Sequence, residues 1–493
     1  MGDQNTVLSA AEARHLLRRA GFGARPDEVQ SILVQGLTRG QAADQLLSFT
    51  SSPKIFKPSG RYIEFSHNKW IKWMLKTHFP LQEKLVLFWH DHFATSNTKV
   101  DNPKTMANQN VLLRRMCAGN FKDLVKAINR DAAMIEFLDT IRNHRDIPNE
   151  NYGRELQELF TLGVRDLAGQ PNYRQEDVVQ IARAFTGWVY EYSSGRSYLD
   201  DNDHDFEADY PERGPKVIYK STGGFGPGGR SFTVNGEGAA EIDTVIDIIF
   251  EHTDSEGQNT VARRTAHRLL EYFAHPDPAT GVVDAVVADS GFDSSWDIAA
   301  LVRAIFANDA FYESAAPAPF GAATKKSVKW PVDYVVSTLR LFDMKLKGKY
   351  QYVDGGSYNT IRDELTNMGQ TLFEPPSVFG WDWETAWISS ATLLARYGFA
   401  RDVTSARGNG KSAFRPEDLL DLDLTDPDDI VTAVTDALGV TDQLTGGERT
   451  ILVDYLTDNG VNPTLDLNDY GVRNTKLNGL FALVLQSPVY QLH

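Results

Sequence analysis

The sequence predicts a mainly α fold: a multi-helix body with a small β-hairpin and loop excursion, and a small C-terminal helical unit. Three observations carry this. Apolar residues recur at helical spacing over most of the chain, as in the stripe Leu81, Leu85, Phe88 and His92. Helix start and stop signals bracket such runs, with Ser9 set three residues before Glu12 as a capping box and Pro80 opening the stripe. Strand-like patterning is confined to one stretch rich in Gly, Ser, Asp and aromatic residues, between about 192 and 236.

In chain order, the spacing predicts helices over 10–20, closed by Gly21, then 81–93, 108–117, 121–130, 132–137, 152–162 and 175–190. Val217-Ile218-Tyr219 and Ser231-Phe232-Thr233-Val234 read as two short strands around the glycine-rich run from Gly223 to Gly229. Helices resume at 241–252, 261–274, 281–289, 294–307 and 332–342. A loop over 369–383, rich in Pro, Gly and large aromatics, precedes a helix at 389–399. An acidic polar stretch, 406–428, marks a boundary. The expected regions are therefore 1–191, 192–236, 237–405 and 406–493. One short echo, 301–312 against 480–490, pairs two apolar helices that each end in a small-residue turn and an aromatic.

The bulk numbers exclude some classes. At 493 residues the chain exceeds a single core, so two or three subdomains are expected. A net charge of −16 argues against general binding to nucleic acid or an anionic membrane. No window approaches the roughly 18 uncharged apolar residues of a spanning helix. Met1-Gly2-Asp3-Gln4-Asn5-Thr6 carries no export signal, so the chain as written reads as cytoplasmic. The single Cys117 rules out an intramolecular disulfide and a thiolate-rich metal centre, and reads as a buried bystander.

Four clusters could carry chemistry. The first is Asn149-Glu150-Asn151 with Arg154, Glu155 and Glu158, at a helix start. Glu155 and Glu158 are three apart and share a helix face, so they require a positive partner, a shared proton or a divalent cation. The structural alternative is carboxylates set against the positive end of the helix dipole. The second is His90-Asp91-His92. Residues two apart on a helix point about 200° apart, so the two histidines should not hold one ion together. His92 lies on the apolar stripe and is the better site candidate, with a hydrogen-bonded core histidine as the alternative. The third is the aromatic loop with Trp381, Trp383 and Trp387. It reads as loop packing or, where exposed, as a stacking surface beside Asp382 and Glu384. The fourth is Asp201, Asp203, Asp205 and Glu212, at calcium-hand spacing but without the turn glycine. It reads as a solvated acidic loop.

Taken together these pieces resemble the bacterial family called domain of unknown function 1800. The matching segments are His15-Leu16-Leu17-Arg18-Arg19-Ala20-Gly21-Phe22-Gly23, Phe88-Trp89-His90-Asp91-His92-Phe93 and residues 149–163. They continue with Glu176-Asp177-Val178, Ala182-Arg183-Ala184-Phe185-Thr186-Gly187-Trp188, Met368-Gly369-Gln370 and Gly380-Trp381, in the family's order. The resemblance implies a mostly helical fold and no assigned activity. It also implies frequent export, and a possible partner of the domain of unknown function 1501 family, which looks sulfatase-like. Many relatives carry histidine where this chain has Phe160, so a metal ligand at that position would be missing here.

Two functional classes follow. One is a hydrolase-type enzyme on a carbohydrate or other polymer, possibly with a divalent metal. In it Glu155 and Glu158 are the acid–base or metal groups, and Arg154 and His92 tune charge. Trp381, Trp383, Asn149 and Asn151 contact substrate. The other is a non-catalytic scaffold or partner-binding protein, whose polar motifs hold loops onto the helical body.

Overall fold

The fold is that of a computed structural model describing residues 4–49, 62–221, 224–225, 228–232, 237–315, 326–344, 346, 351–354, 357–405 and 414–493. Met1–Asp3, parts of the glycine run, Thr233-Val234 and the first part, 406–413, of the polar stretch over 406–428 lie outside the described residues. Helices carry the fold. Among the described residues the only sheets are three two-stranded antiparallel hairpins.

The first helix, Ala10–Ala20, begins as its sequence dictates. Ser9 and Glu12 exchange the two capping-box hydrogen bonds, at 3.0 and 3.3 Å. Its two arginines are buried and serve other helices. Arg18 Nη1 donates to the Gly439 carbonyl at 2.7 Å, just beyond Pro427–Ala437. Arg19 donates to the carbonyls of Tyr272 and Phe273, which end Thr260–Phe273. The last carbonyls of a helix lack partners and carry partial negative charge, so a guanidinium satisfies both needs. The Leu-Leu-Arg-Arg motif thereby ties the N-terminal, central and C-terminal helices together.

The helix Pro80–His92 runs through the interior, with every residue from Leu81 to His92 buried. A helix buried on all sides must give each polar side chain a partner. Glu83 accepts from Arg114 Nε and Nη2 at 2.7 Å each, from Trp70 Nε1 at 2.7 Å and from Trp73 Nε1 at 3.0 Å. Cys117 is buried, and its carbonyl accepts from Trp89 Nε1 at 2.8 Å.

Several expectations need correction. The helix expected over 175–190 is Gln175–Ala184. Trp188–Glu191 is instead a strand paired with Arg196–Leu199, because its aromatic and β-branched run finds a cross-strand partner. That hairpin crosses the expected boundary at 191. The hairpin of Lys216–Ile218 with Arg230–Phe232 lies where the sequence puts one. A third, Gln351–Asp354 with Ser357–Thr360, was not anticipated. The acidic run at 200–205 is not simply a solvated loop. Asp201 is exposed, but Asp205 is wholly buried and held by Arg183 at 3.0 Å and Arg213 at 2.8 Å.

The C-terminal helices pack into the body. Tyr334 Oη donates to the Leu485 carbonyl at 3.2 Å, Arg396 Nη1 donates to Gln491 at 2.9 Å, and Val328 bridges to Leu492. The echo has a structural counterpart. Ile298–Ala307 and Asn478–Gln486 are each followed by one extended residue, Asn308 or Ser487, and then a short helix.

Candidate functional site

The Asn-Glu-Asn lead-in builds a helix start. The Asn143 side chain donates to the Ala182 carbonyl at 2.8 Å and accepts the Asn149 N–H at 2.7 Å. Asn149 Oδ1 in turn accepts the Asn151 N–H at 3.0 Å. This is the local side-chain-to-backbone bonding that favours Asn before a helix. Asn151 is exposed, with its amide 3.4 Å from Asp139. Glu150 pairs with Arg154 at 3.0 Å and with Gln175 at 2.6 Å. Arg154 therefore hydrogen-bonds Glu150 and Gln175, and acts on Glu155 only through its charge.

Asn151–Glu155 is α-helical, and Leu156–Thr161 widens into a π-helix. The Leu162 and Gly163 N–H groups both reach back to the Gln157 carbonyl, at 3.0 and 2.9 Å. Thr161 Oγ1 donates to the Leu156 carbonyl, five residues earlier, at 2.6 Å. Such π segments recur at functional sites. Here Leu156, Gln157, Phe160 and Thr161 face inward, while Glu155 and Glu158 are half-buried on the open side.

The two glutamates differ. Glu158 accepts from Tyr173 Oη at 2.8 Å. Glu155 makes no side-chain hydrogen bond or ion pair among the described residues. Burial, reinforced by the neighbouring Glu158 charge and only partly offset by Arg154, pushes its carboxyl up to about 7. Tyr173 is also pushed up, by burial and by its bond to Glu158.

The facing wall is Thr260–Phe273, which presents Arg264, His267, Arg268 and Glu271 at i, i+3, i+4 and i+7. Arg264 Nη2 donates to the Glu158 carbonyl at 3.1 Å. Gly163, at φ +82°, makes room for that guanidinium, since a Cβ there would lie 2.7 Å from Arg264 Nη1. Arg268 bonds Glu271 at 3.2 Å and lies 4.0 Å over the Trp383 ring.

The His-Asp-His segment holds this region in place. His92 Nε2 lies 3.1 Å from the Phe160 carbonyl. A carbonyl only accepts, so His92 is the donor, and burial holds its pKa down near 3. Phe160 packs beside it, 5.3 Å from the Phe93 ring. His90 Nε2 accepts the Phe373 N–H at 3.1 Å. The histidines thus serve opposite sides, as their spacing implies, but neither faces an open cleft. Both are hydrogen-bonded core histidines, the alternative that the sequence offered for His92.

Asp91 between them was missed. It accepts the Trp381 N–H at 2.7 Å and Trp383 Nε1 at 2.9 Å. Burial pushes it up to about 6, against the pull of Arg268 and those two bonds. Gly380, at φ +82°, is required beneath it, because a Cβ there would meet Asp91 Oδ1 at 2.3 Å. The signal was its setting, since an acid between Phe88-Trp89 and Phe93 must find donors once that helix is buried.

The expected substrate contacts fare differently. Trp381 is 3% exposed and offers no stacking face. Trp383 is half-buried, with Arg268 on its ring. Among the described residues no three His, Cys, Asp or Glu side chains are grouped to hold a metal. No described helix is long and apolar enough to cross a membrane.

Neither the comparison with curated proteins nor that with solved structures gives a match. A family model described as "Protein of unknown function (DUF1800)" matches residues 15–492, a span that takes in the buried arginine pair, the His-Asp-His clamp, the π segment and the tryptophan loop. The chain belongs to that family.

Proposed function

We propose that this chain is an acid–base enzyme of the hydrolase type, working at the Glu155–Glu158 face. One observation carries the reading. Two half-buried carboxyls lie three residues apart where the α-helix passes into the π segment, one held by Tyr173 and the other lacking a donor and poised near 7. A carboxyl raised toward neutral pH by burial and a like-charged neighbour is how a site supplies a proton donor and acceptor. Glu155 is the proton donor and acceptor, and Glu158, held by Tyr173, is the neighbouring carboxyl that raises it. Arg264 and Arg268 supply positive charge opposite. A carbohydrate substrate loses its aromatic platform, because Trp381 is buried and Arg268 covers Trp383.

A second reading, the non-catalytic scaffold, is favoured by a different observation. Arg18, Arg19, His90, Asp91 and His92 all bond backbone groups that hold helices and loops together. A screen of hydrolase substrates, followed by Glu155→Gln and Glu158→Gln, separates the two. The enzyme reading requires turnover that both variants abolish while keeping the native circular dichroism and melting transition. Turnover that survives both substitutions, or variants that unfold with no activity ever found, favours the scaffold.

A further inference from the structure

Beyond the glutamates, on the other side of Arg264, lies a cavity of about 130 Å³. It is well below the roughly 300 Å³ at which pockets for larger organic ligands begin, so it suits a single small group. Its polar walls are Arg165 and Asp166, after the π segment, and Arg263, Arg264, His267 and Arg268 of Thr260–Phe273. Asp254 also lines it.

The two acids are already engaged. Asp166 accepts the Gln170 N–H at 2.7 Å and the Ser255 N–H at 3.1 Å. Asp254 accepts Arg263 Nη1 at 2.6 Å, and Arg263 is further matched by Glu256 and Asp284. The remaining cations are less well matched. Arg165 Nη1 meets the Gly169 carbonyl at 2.7 Å. Arg268 and His267 share the single Glu271. Arg264 has no carboxylate within 4 Å among the described residues, and its buried Nε has no partner. A guanidinium has five donors, and a bidentate oxyanion is the group that matches them. Arg264 and Arg268 are one turn apart, where like charges repel.

We propose that this cavity binds one small oxyanion, a phosphate or sulfate group, with Arg264 and Arg268 as its principal ligands and Arg165 and His267 at its rim. The site stands on the cavity and its unmatched donors, and does not depend on Glu155 being catalytic.

The test is calorimetric titration and thermal unfolding of the full chain with inorganic phosphate and with sulfate, against chloride at matched ionic strength. Saturable binding of one anion per chain and a raised melting temperature are expected. Arg268→Gln and Arg264→Gln should each weaken binding about ten-fold or more, the scale of one lost charged hydrogen bond. If Arg264→Gln fails to fold for want of its bond to the Glu158 carbonyl, Arg165→Gln at the rim gives the same direction without touching that helix end. A parallel titration with glycerol 2-phosphate separates the sources. Tighter binding of the ester assigns an esterified group, and tighter binding of inorganic phosphate assigns the free ion. No saturable binding of either anion, or binding unchanged in both Arg268→Gln and Arg165→Gln, overturns the proposal.

Discussion

The helix Pro80–His92 and the segment Asn151–Thr161 both bury acids, and they treat them in opposite ways. Glu83 and Asp91 sit on a sealed helix, and their donors come from arginine, indole and backbone N–H groups. Glu155 and Glu158 sit on a half-open turn where only Tyr173 reaches one of them. A buried charge with a complete set of donors holds a fold in one arrangement. A partly buried carboxyl without one destabilises its own ionised form and is available to exchange a proton.

Breaking the sealed side should have the largest effect. Glu83→Ala leaves Arg114 buried without its carboxylate, and about 3–5 kcal/mol of stability should be lost, read by urea unfolding. A loss under about 1 kcal/mol would mean that the Glu83 network is not the anchor described here. Gly380→Ala comes next. Its strained backbone and the clash with Asp91 should cost about 1–3 kcal/mol and loosen the tryptophan loop, seen as raised indole fluorescence quenching. Unchanged quenching would detach that loop from Asp91.

The open side should respond to pH more than to denaturant. Glu155 has a folded pKa near 7, above its ordinary 4.5, so the folded state holds the extra proton between those values. Its contribution to stability is full below about 4.5 and is lost as pH rises through about 7. Asp91, raised to about 6, adds a slope of the same sign in both proteins. Wild type should therefore gain on Glu155→Gln when melting is compared at pH 5 and at pH 7.5, with the advantage at pH 5. A difference that is flat or reversed would return Glu155 to an ordinary surface acid. The smallest effect belongs to Arg154→Ala. It breaks an exposed i, i+4 pair with Glu150 and should cost about 0.2–0.5 kcal/mol. A loss of several kcal/mol would mean that Arg154 serves the glutamate pair after all.

Much of this was legible in the sequence, because local rules govern it. Ser9 with Glu12 fixes one helix start, Pro80 opens the central helix, and two-residue spacing sends His90 and His92 to opposite sides. The glutamate pair was found from its i, i+3 spacing. What escaped was set at long range. The Trp381 N–H is held by an acid 290 residues earlier, and the arginines of Thr260–Phe273 carry no motif that announces them.

The sequence by itself determined a mainly α chain, its principal helices, and the acids and histidines that would need partners, because periodicity, capping and charge spacing act within a few residues. Only the tertiary structure decided which partners they found. It widened 156–161 into a π segment, sealed His92 against Phe160, matched Asp91 to the tryptophan loop and left Glu155 half-buried beside Glu158. Burial and pairing are properties of contacts between distant segments, and no local pattern encodes them.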